Sequence, residues 1–186
     1  MRRLFSLTIA LMLVFFCVAT VSAWEDISPL DAFDMVYSNP NVYILDVRTV
    51  CEYKFVGHPL VLEGKIKNIP FWMFEFDRAT DQYIFYADGV ANENKFFDEA
   101  VYRNFDPATD TLIIVCKSGG RAGMAAGDLE DPSEPAANRL EKLGFFEIRR
   151  MTGGFSFGWE PEGLPVSTGY EGIWKPSDFR GKSLKE

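Results

Sequence analysis

Val115-Cys116-Lys117-Ser118-Gly119-Gly120-Arg121 is the stretch on which the reading of this chain turns. The apolar run Thr111-Leu112-Ile113-Ile114-Val115 has the length and β-branched content of a buried strand, and it delivers Cys116 to the start of a short loop. Gly119 and Gly120 let that loop curl so that its N–H groups point inward and form a concave anion site. A helix-permissive segment follows from Ala122 to Ala126, so the positive end of a helix dipole is expected at the loop's far side. Lys117 and Arg121 add full positive charges. Each effect favours a thiolate over a thiol, which marks Cys116 as a reactive nucleophile.

Working outward, strand and helix patterns alternate. Ser28-Pro29 with Asp31 starts a helix, with Leu30, Phe33, Met35, Val36 and Tyr37 as its expected apolar face and Asn39-Pro40 as its end. Val42 to Val47 reads as a buried strand, Val50 to Val56 as a short helix and Ile66 to Ile69 as another short strand. A helix ends at Gly144, and Phe146 to Met151 supplies a further strand. The expected fold class is α/β, an open parallel sheet flanked by helices on both faces. Ligands of such sheets bind at the carboxyl ends of strands, where Asp46 and Cys116 both fall.

Arg2 and Arg3 precede an apolar run from Leu4 to Val18, and Thr20-Val21-Ser22-Ala23 offers the small residues of a cleavage site. Residues 1–23 therefore read as a removable secretory signal, with an uncleaved anchor as the alternative, and the mature protein as periplasmic or secreted. Phe15-Phe16 disfavour lipidation at Cys17. Cleavage leaves 163 residues, enough for one domain, with 17 basic against 27 acidic residues. A formal charge of −10 argues against nucleic acid or anionic lipid as a partner, and no stable membrane insertion is expected after cleavage. Two cysteines, Cys51 and Cys116, and one histidine, His58, offer no metal-binding spacing, so no metal and no cofactor is expected. Two cysteines also make no disulfide framework, although export would permit one bond.

The chain resembles the rhodanese (sulfurtransferase) family. The likeness rests on the cysteine loop, on Asp46-Val47-Arg48 followed by Glu52-Tyr53, on Gly57-His58, and on Gly64 through Asn68-Ile69-Pro70. Leu143-Gly144-Phe145, Gly153-Gly154, Trp159 and Gly163-Leu164-Pro165-Val166 resemble the family's closing pattern. These pieces span roughly residues 27 to 167 and occur in the family's order. The resemblance implies that Cys116 takes a sulfane sulfur from a donor such as thiosulfate and passes it, as a persulfide, to a thiol or cyanide. The partners implied are a small donor and a thiol acceptor, with a protein redox partner as a further candidate. The alternative is a carrier or partner-binding module of the same fold that does not turn over. Related phosphatases and arsenate reductases use a loop one residue longer, which disfavours that chemistry here.

In this frame Cys116 and Arg121 are the catalytic candidates, and Lys117, Ser118, Gly119 and Gly120 form the substrate-binding loop. Lys117 is placed to draw an anionic donor, and Arg121 to brace the loop with its guanidinium fork. Asp46 and Arg48 are structural support, Asp46 by capping loop amides and Arg48 by pairing with Glu52 at i,i+4. His58 reads as a structural histidine and Trp159 as packing near the loop. Cys51 reads as a small buried hydrophobe at a helix start, with a resolving thiol as the sharper alternative. The domain is expected over 24–168, with insertions at about 71–110 and 127–135 and a tail at 169–186. The first insertion is aromatic and is expected to cover the sheet. The second, acidic and proline-bearing, reads as an exposed turn or a second helix start.

Overall fold

The computed structural model describes residues 24–73, 75–77, 82–84, 86–87, 90–91, 93–119 and 133–173. Residues 1–23, on which the export-signal expectation falls, Gly120, Arg121, most of the acidic insertion and the tail beyond Ile173 lie outside these residues.

The chain enters through strand β1 (Trp24–Ile27), helix α1 (Pro29–Ser38) and strand β2 (Val42–Asp46). A π-helical turn at Glu52–Val56 leads to β3 (His58–Pro59) and β4 (Ile66–Asn68). Two small hairpins follow, β5 (Glu75–Asp77) with β6 (Gln82–Ile84) and β7 (Tyr86–Ala87) with β8 (Val90–Ala91). Helix α2 (Phe97–Asn104), strand β9 (Thr111–Val115), helix α3 (Ser133–Lys142) and strand β10 (Ile148–Met151) complete the main layers. A second π-helical turn at Gly154–Trp159 precedes β11 (Val166–Ser167), which pairs antiparallel with β3.

Five strands form one parallel sheet in the order β1-β10-β9-β2-β4, so the strand that ends at the cysteine loop is central. Both its faces are covered. Leu112 and Ile114 point into a core with α2 and α3, while Ile113 and Val115 point into a second core with α1 and the Gly154–Trp159 turn. All four side chains are fully buried, each contributing about 1.5–3 kcal/mol in transfer terms. This two-sided burial is why the sequence of β9 is continuously apolar. The architecture is the expected open parallel α/β sheet with helices on both faces.

Helix α1 starts as its sequence specifies, with the Ser28 hydroxyl accepting from Asp31 N at 3.1 Å and Pro29 in the first turn. Its buried face differs from the expected one. Pro29, Ala32 and Val36 are buried, whereas Leu30 and Tyr37 are 51% and 45% exposed. The i, i+3, i+7 stripe places a small alanine where the helix approaches the sheet. Strand β1 was not foreseen. It extends the sheet beyond β10 in register, with Trp24 opposite Ile148 and Ile27 opposite Met151.

In the aromatic insertion, Phe71, Trp72, Phe97 and Phe105 are buried in the same core as Leu112 and Ile114, which agrees with a covering role. Phe96 and Tyr102 remain exposed. The second insertion runs into a helix start at Ser133. Residues 170–173, beyond the expected domain end, join the sheet edge. Ile173 bridges Asn68 in parallel, Gly172 O accepts from Asn68 N at 2.9 Å, and Glu171 O accepts from the Tyr53 hydroxyl at 2.6 Å.

Candidate active site

The register of the central strands gathers the site. Asp46 lies opposite Val115 on one side and opposite Asn68 on the other, so Cys116 starts its loop beside the ends of two neighbouring strands. Val47 N–H donates to Val115 O at 2.9 Å and carries the pairing one residue further. Cys116 is fully buried, Lys117 is exposed, Ser118 is half-buried and Gly119 is buried. The Gly119 N–H donates to Cys116 Sγ at 2.9 Å. An amide aimed at the sulfur favours its anionic form, because a thiolate is the stronger acceptor.

The loop hangs on the segment after β10. Phe155 N–H donates to Cys116 O at 2.8 Å, Ser156 N–H to Lys117 O at 3.0 Å, and Gly153 N–H to Gly119 O at 3.3 Å. Gly119 has φ +54°, and a Cβ there would stand 2.2 Å from Gly154 N and 2.3 Å from Met151 O. Gly154 is equally constrained, since its Cβ would lie 2.4 Å from Cys116 O. Only glycine at both positions lets the two backbones touch. The bracing role of Gly153, Gly154 and Phe155 was not anticipated. The glycine pair was the visible signal, but nothing local in it says which loop it meets.

Asp46 and Arg48 form a buried pair beneath this loop. Arg48 Nε donates to both Asp46 carboxylate oxygens at 3.0 Å, Nη2 donates to Oδ2 at 2.6 Å, and Nη2 also reaches Gly57 O at 2.8 Å. The guanidinium carbon sits 4.4 Å over the Phe155 ring. Burial pulls the Arg48 pKa down, but Asp46, by charge and hydrogen bonding, together with Glu52 and Cys116, holds it above the ordinary value. The expected i,i+4 pairing of Arg48 with Glu52 is therefore replaced. Glu52 instead makes a capping box with Thr49, accepting from Thr49 N at 3.1 Å and from Thr49 Oγ1 at 2.7 Å, while Glu52 N donates to Thr49 Oγ1 at 3.3 Å. Asp46 caps Arg48 N at 3.0 Å. Asn68, also unforeseen in this role, ties the shelf to β4 by donating from Nδ2 to Asp46 O at 3.1 Å and to Arg48 O at 2.8 Å.

His58 is structural, as expected. It is buried, stacks on Tyr53 at 3.7 Å, and donates from Nδ1 to Tyr53 O at 3.1 Å, since a carbonyl can only accept. Trp159 is fully buried, donates to Pro165 O at 2.8 Å and packs against Phe33 in the core on the face opposite the Cys116 side chain. Cys51 is exposed rather than a buried hydrophobe, because Tyr53 takes the inward position of that turn. Neither Cys51 nor Cys116 is in a disulfide. Gly120 and Arg121, expected to complete the loop, lie outside the described residues. Among the described residues no group of three His, Cys, Asp or Glu side chains is arranged to hold a metal ion.

No protein-family model and no curated protein matches the sequence. Solved structures do. Rv0390 from M. tuberculosis is 24% identical, with 78% of this chain and 98% of that one covered at a TM-score of 0.53. A rhodanese-like domain protein from Staphylococcus aureus is 19% identical over 77% of this chain and 98% of its own, at a TM-score of 0.47. A Rhodopseudomonas palustris protein described as a possible tyrosine phosphatase is 18% identical over 78% and 86%, at 0.45. At these identities the likeness is one of fold. With a parallel five-stranded sheet, helices on both faces and a cysteine loop at the carboxyl end of its central strand, the chain shares the fold of Rv0390.

Proposed function

We propose that this protein is a sulfurtransferase that works through a Cys116 persulfide. The observation that carries the reading is the Gly119 N–H aimed at Cys116 Sγ at 2.9 Å, in a loop that leaves the central strand. A sulfur held this way is suited to carry negative charge, first as a thiolate and then at the outer atom of a persulfide. In the first half-reaction the thiolate attacks the outer sulfur of a donor such as thiosulfate. A Cys–S–S⁻ bond forms, the donor S–S bond breaks, and sulfite leaves with the bonding electron pair. In the second, a thiol or cyanide attacks the outer sulfur, the Cys–S–S bond breaks and the thiolate is restored. No outside oxidant or reductant is needed. Exposed Lys117 is the group we assign to attracting the anionic donor, with Arg121 as loop brace. We further assign residues 1–23 to a cleaved export signal, so that the working protein starts near Trp24.

Full burial of Cys116 favours a second reading, a carrier that loads once and unloads only onto a partner protein. Intact mass before and after thiosulfate separates the outcomes, with Cys116→Ser and Cys51→Ser alongside. A gain of about one sulfur, reversed by cyanide and abolished by Cys116→Ser alone, supports persulfide chemistry. Repeated thiocyanate release in the same samples favours the enzyme, whereas a single loading without turnover favours the carrier. Absence of loading from fully reduced protein rejects thiosulfate as donor.

A further inference from the structure

The Asn68 side chain reaches past its own strand. It is fully buried, and its Nδ2 donates to Asp46 O at 3.1 Å and to Arg48 O at 2.8 Å, while its Oδ1 finds no partner among the described residues. The two carbonyls fix the orientation of this amide, because only its NH2 end can donate to them. A buried acceptor without a donor costs folding free energy, so the two bonds made by Nδ2 hold the side chain in place against that cost. The Asp46 carbonyl and the Val47 N–H belong to one peptide group, and that N–H donates to Val115 O at 2.9 Å. Val115 O in turn belongs to the peptide that supplies Cys116 N. Two hydrogen bonds in series thus run from Asn68 Nδ2 to the peptide that opens the cysteine loop. The Asn68 backbone is itself anchored, its N–H donating to Gly172 O at 2.9 Å in the strap at 170–173.

From this geometry we infer that Asn68 is a positioning residue for Cys116, setting the peptide before the nucleophile and so the aim of Sγ at the Gly119 N–H. The inference rests on the Cys116 reading given above. The Cys116 side chain leaves a Cα whose two flanking peptides carry Val115 O and Cys116 O. The first oxygen is held by Val47 N–H at 2.9 Å and the second by Phe155 N–H at 2.8 Å. Gly119 is tied in turn through its carbonyl to Gly153 N–H at 3.3 Å. With these points fixed, the sulfur meets the Gly119 N–H at 2.9 Å. A hydrogen bond weakens steeply as its distance and angle depart from ideal, so a small tilt of the first peptide weakens the bond that favours the anion. Ile69 N–H shares Asp46 O at 3.0 Å, but Asn68 Nδ2 spans the carbonyls on both sides of Val47 and clamps the segment as one piece. Amides bonded in series also polarise one another, so the Asn68 donor strengthens the hold of Val47 N–H on Val115 O. Asn68 carries no charge and acts on the sulfur through geometry alone. The charges around the loop and its shelf, Lys117 and the Asp46–Arg48 pair, stay in place when Asn68 is changed.

The test follows thiolate absorbance against pH in the chain from Trp24 to Glu186 carrying Cys51→Ser, with Cys116→Ser as the blank, so that Cys116 is the one thiol observed. No sulfur donor enters, so failure of sulfur transfer and failure of this inference are separate results. In Asn68→Leu, which keeps the side-chain size and removes both donors, half-ionisation of Cys116 should move to higher pH by about half a unit, roughly a threefold loss of thiolate at a given lower pH. The Gly119 amide proton resonance, which should shift as Cys116 ionises in the parent, should shift less in the variant. Asp110→Leu is the control. It removes the carboxylate that accepts from Asp106 N at 2.8 Å beside the opposite end of β9, costs stability, and should leave the ionisation of Cys116 where it was. A folded Asn68→Leu protein that ionises Cys116 as the parent does would overturn the inference, and so would an equal shift in Asp110→Leu. Should Asn68→Leu not fold, Asn68→Ser decides by the same two readouts, because its hydroxyl is too short to span both carbonyls. Parent-like ionisation in that variant would overturn the inference equally.

Discussion

Phe155 donates its N–H to the carbonyl of Cys116 at 2.8 Å, which makes the turn after β10 the support on which the nucleophile's loop is hung. The contact depends on two glycines meeting face to face. Gly119 and Gly154 approach so closely that a methyl group on either would strike backbone atoms, which cannot turn aside as a side chain can.

Gly119→Ala should therefore be among the most damaging small substitutions in the protein. It combines a left-handed backbone at φ +54° with contacts of 2.2 and 2.3 Å, a cost of about 2–5 kcal/mol. Gly64→Ala is the matched control. Its φ is +79°, but nothing lies within 4 Å, so only the conformational cost of about 1–2 kcal/mol applies. Denaturant midpoints of the two variants, with sulfur loading beside them, check the claim. Equal midpoints would show that the Gly119–Gly154 approach is not as tight as described.

The buried Asp46–Arg48 pair should behave as a unit. Asp46→Ala strands the guanidinium without its carboxylate and should cost about 3–5 kcal/mol, whereas Asp46→Ala/Arg48→Met removes both charges and should recover much of that loss. A double-mutant cycle on unfolding free energy reads the coupling. Additive single losses would mean that Arg48 is satisfied without Asp46.

Tyr53 links the π-helical turn to the strap at residues 170–173. Tyr53→Phe removes the hydroxyl that donates to Glu171 O at 2.6 Å and should cost about 0.5–1.5 kcal/mol. Its specific mark should be local. The Asn68 amide, bonded to Gly172 O at 2.9 Å, should exchange its hydrogen faster, while the Ile113 amide in the central strand should not. Unchanged protection at Asn68 would uncouple the strap from Tyr53.

The central strands, the first helix and the position of Cys116 were legible because each is written locally. An apolar β-branched run, a Ser-Pro helix start and a Gly-Gly turn carry their meaning within a few residues. What was missed depends on pairing between distant segments. Strand β1 shows only Trp24 and Ile27 as apolar residues, and it becomes a strand because β10 offers an open edge. The strap at 170–173 lies more than 100 residues from Asn68 and Tyr53, and no local pattern announces that meeting. The Arg48–Glu52 expectation failed for a different reason. An i,i+4 spacing pairs side chains only inside a helix, and Arg48 precedes the turn that Thr49 and Glu52 cap, a Thr-x-x-Glu signal that was present to be read.

His58 supplies a stability dependence with a defined sign. Burial lowers its pKa below the ordinary histidine value, outweighing the hydrogen bond to Tyr53 O and the weaker pull of Asp46. Glu171, 3.8 Å away and largely exposed, adds little. The unfolded chain takes up this proton near pH 6.5, as an unperturbed histidine does, while the folded protein resists it. Between the folded pKa and about 6.5 the unfolded state binds more protons, so stability rises with pH across that window. The contribution is complete above about pH 6.5 and is lost as pH falls toward the folded value. Carboxylates also titrate as the medium turns acidic, so the comparison that isolates the effect is parent against His58→Gln. The loss of unfolding free energy between about pH 7.5 and pH 5.5 should be smaller in the variant, even though the variant starts lower for want of the Tyr53 stacking. Identical pH profiles would mean that His58 accepts its proton in the folded state as freely as in water, and that its burial against Tyr53 opens to solvent.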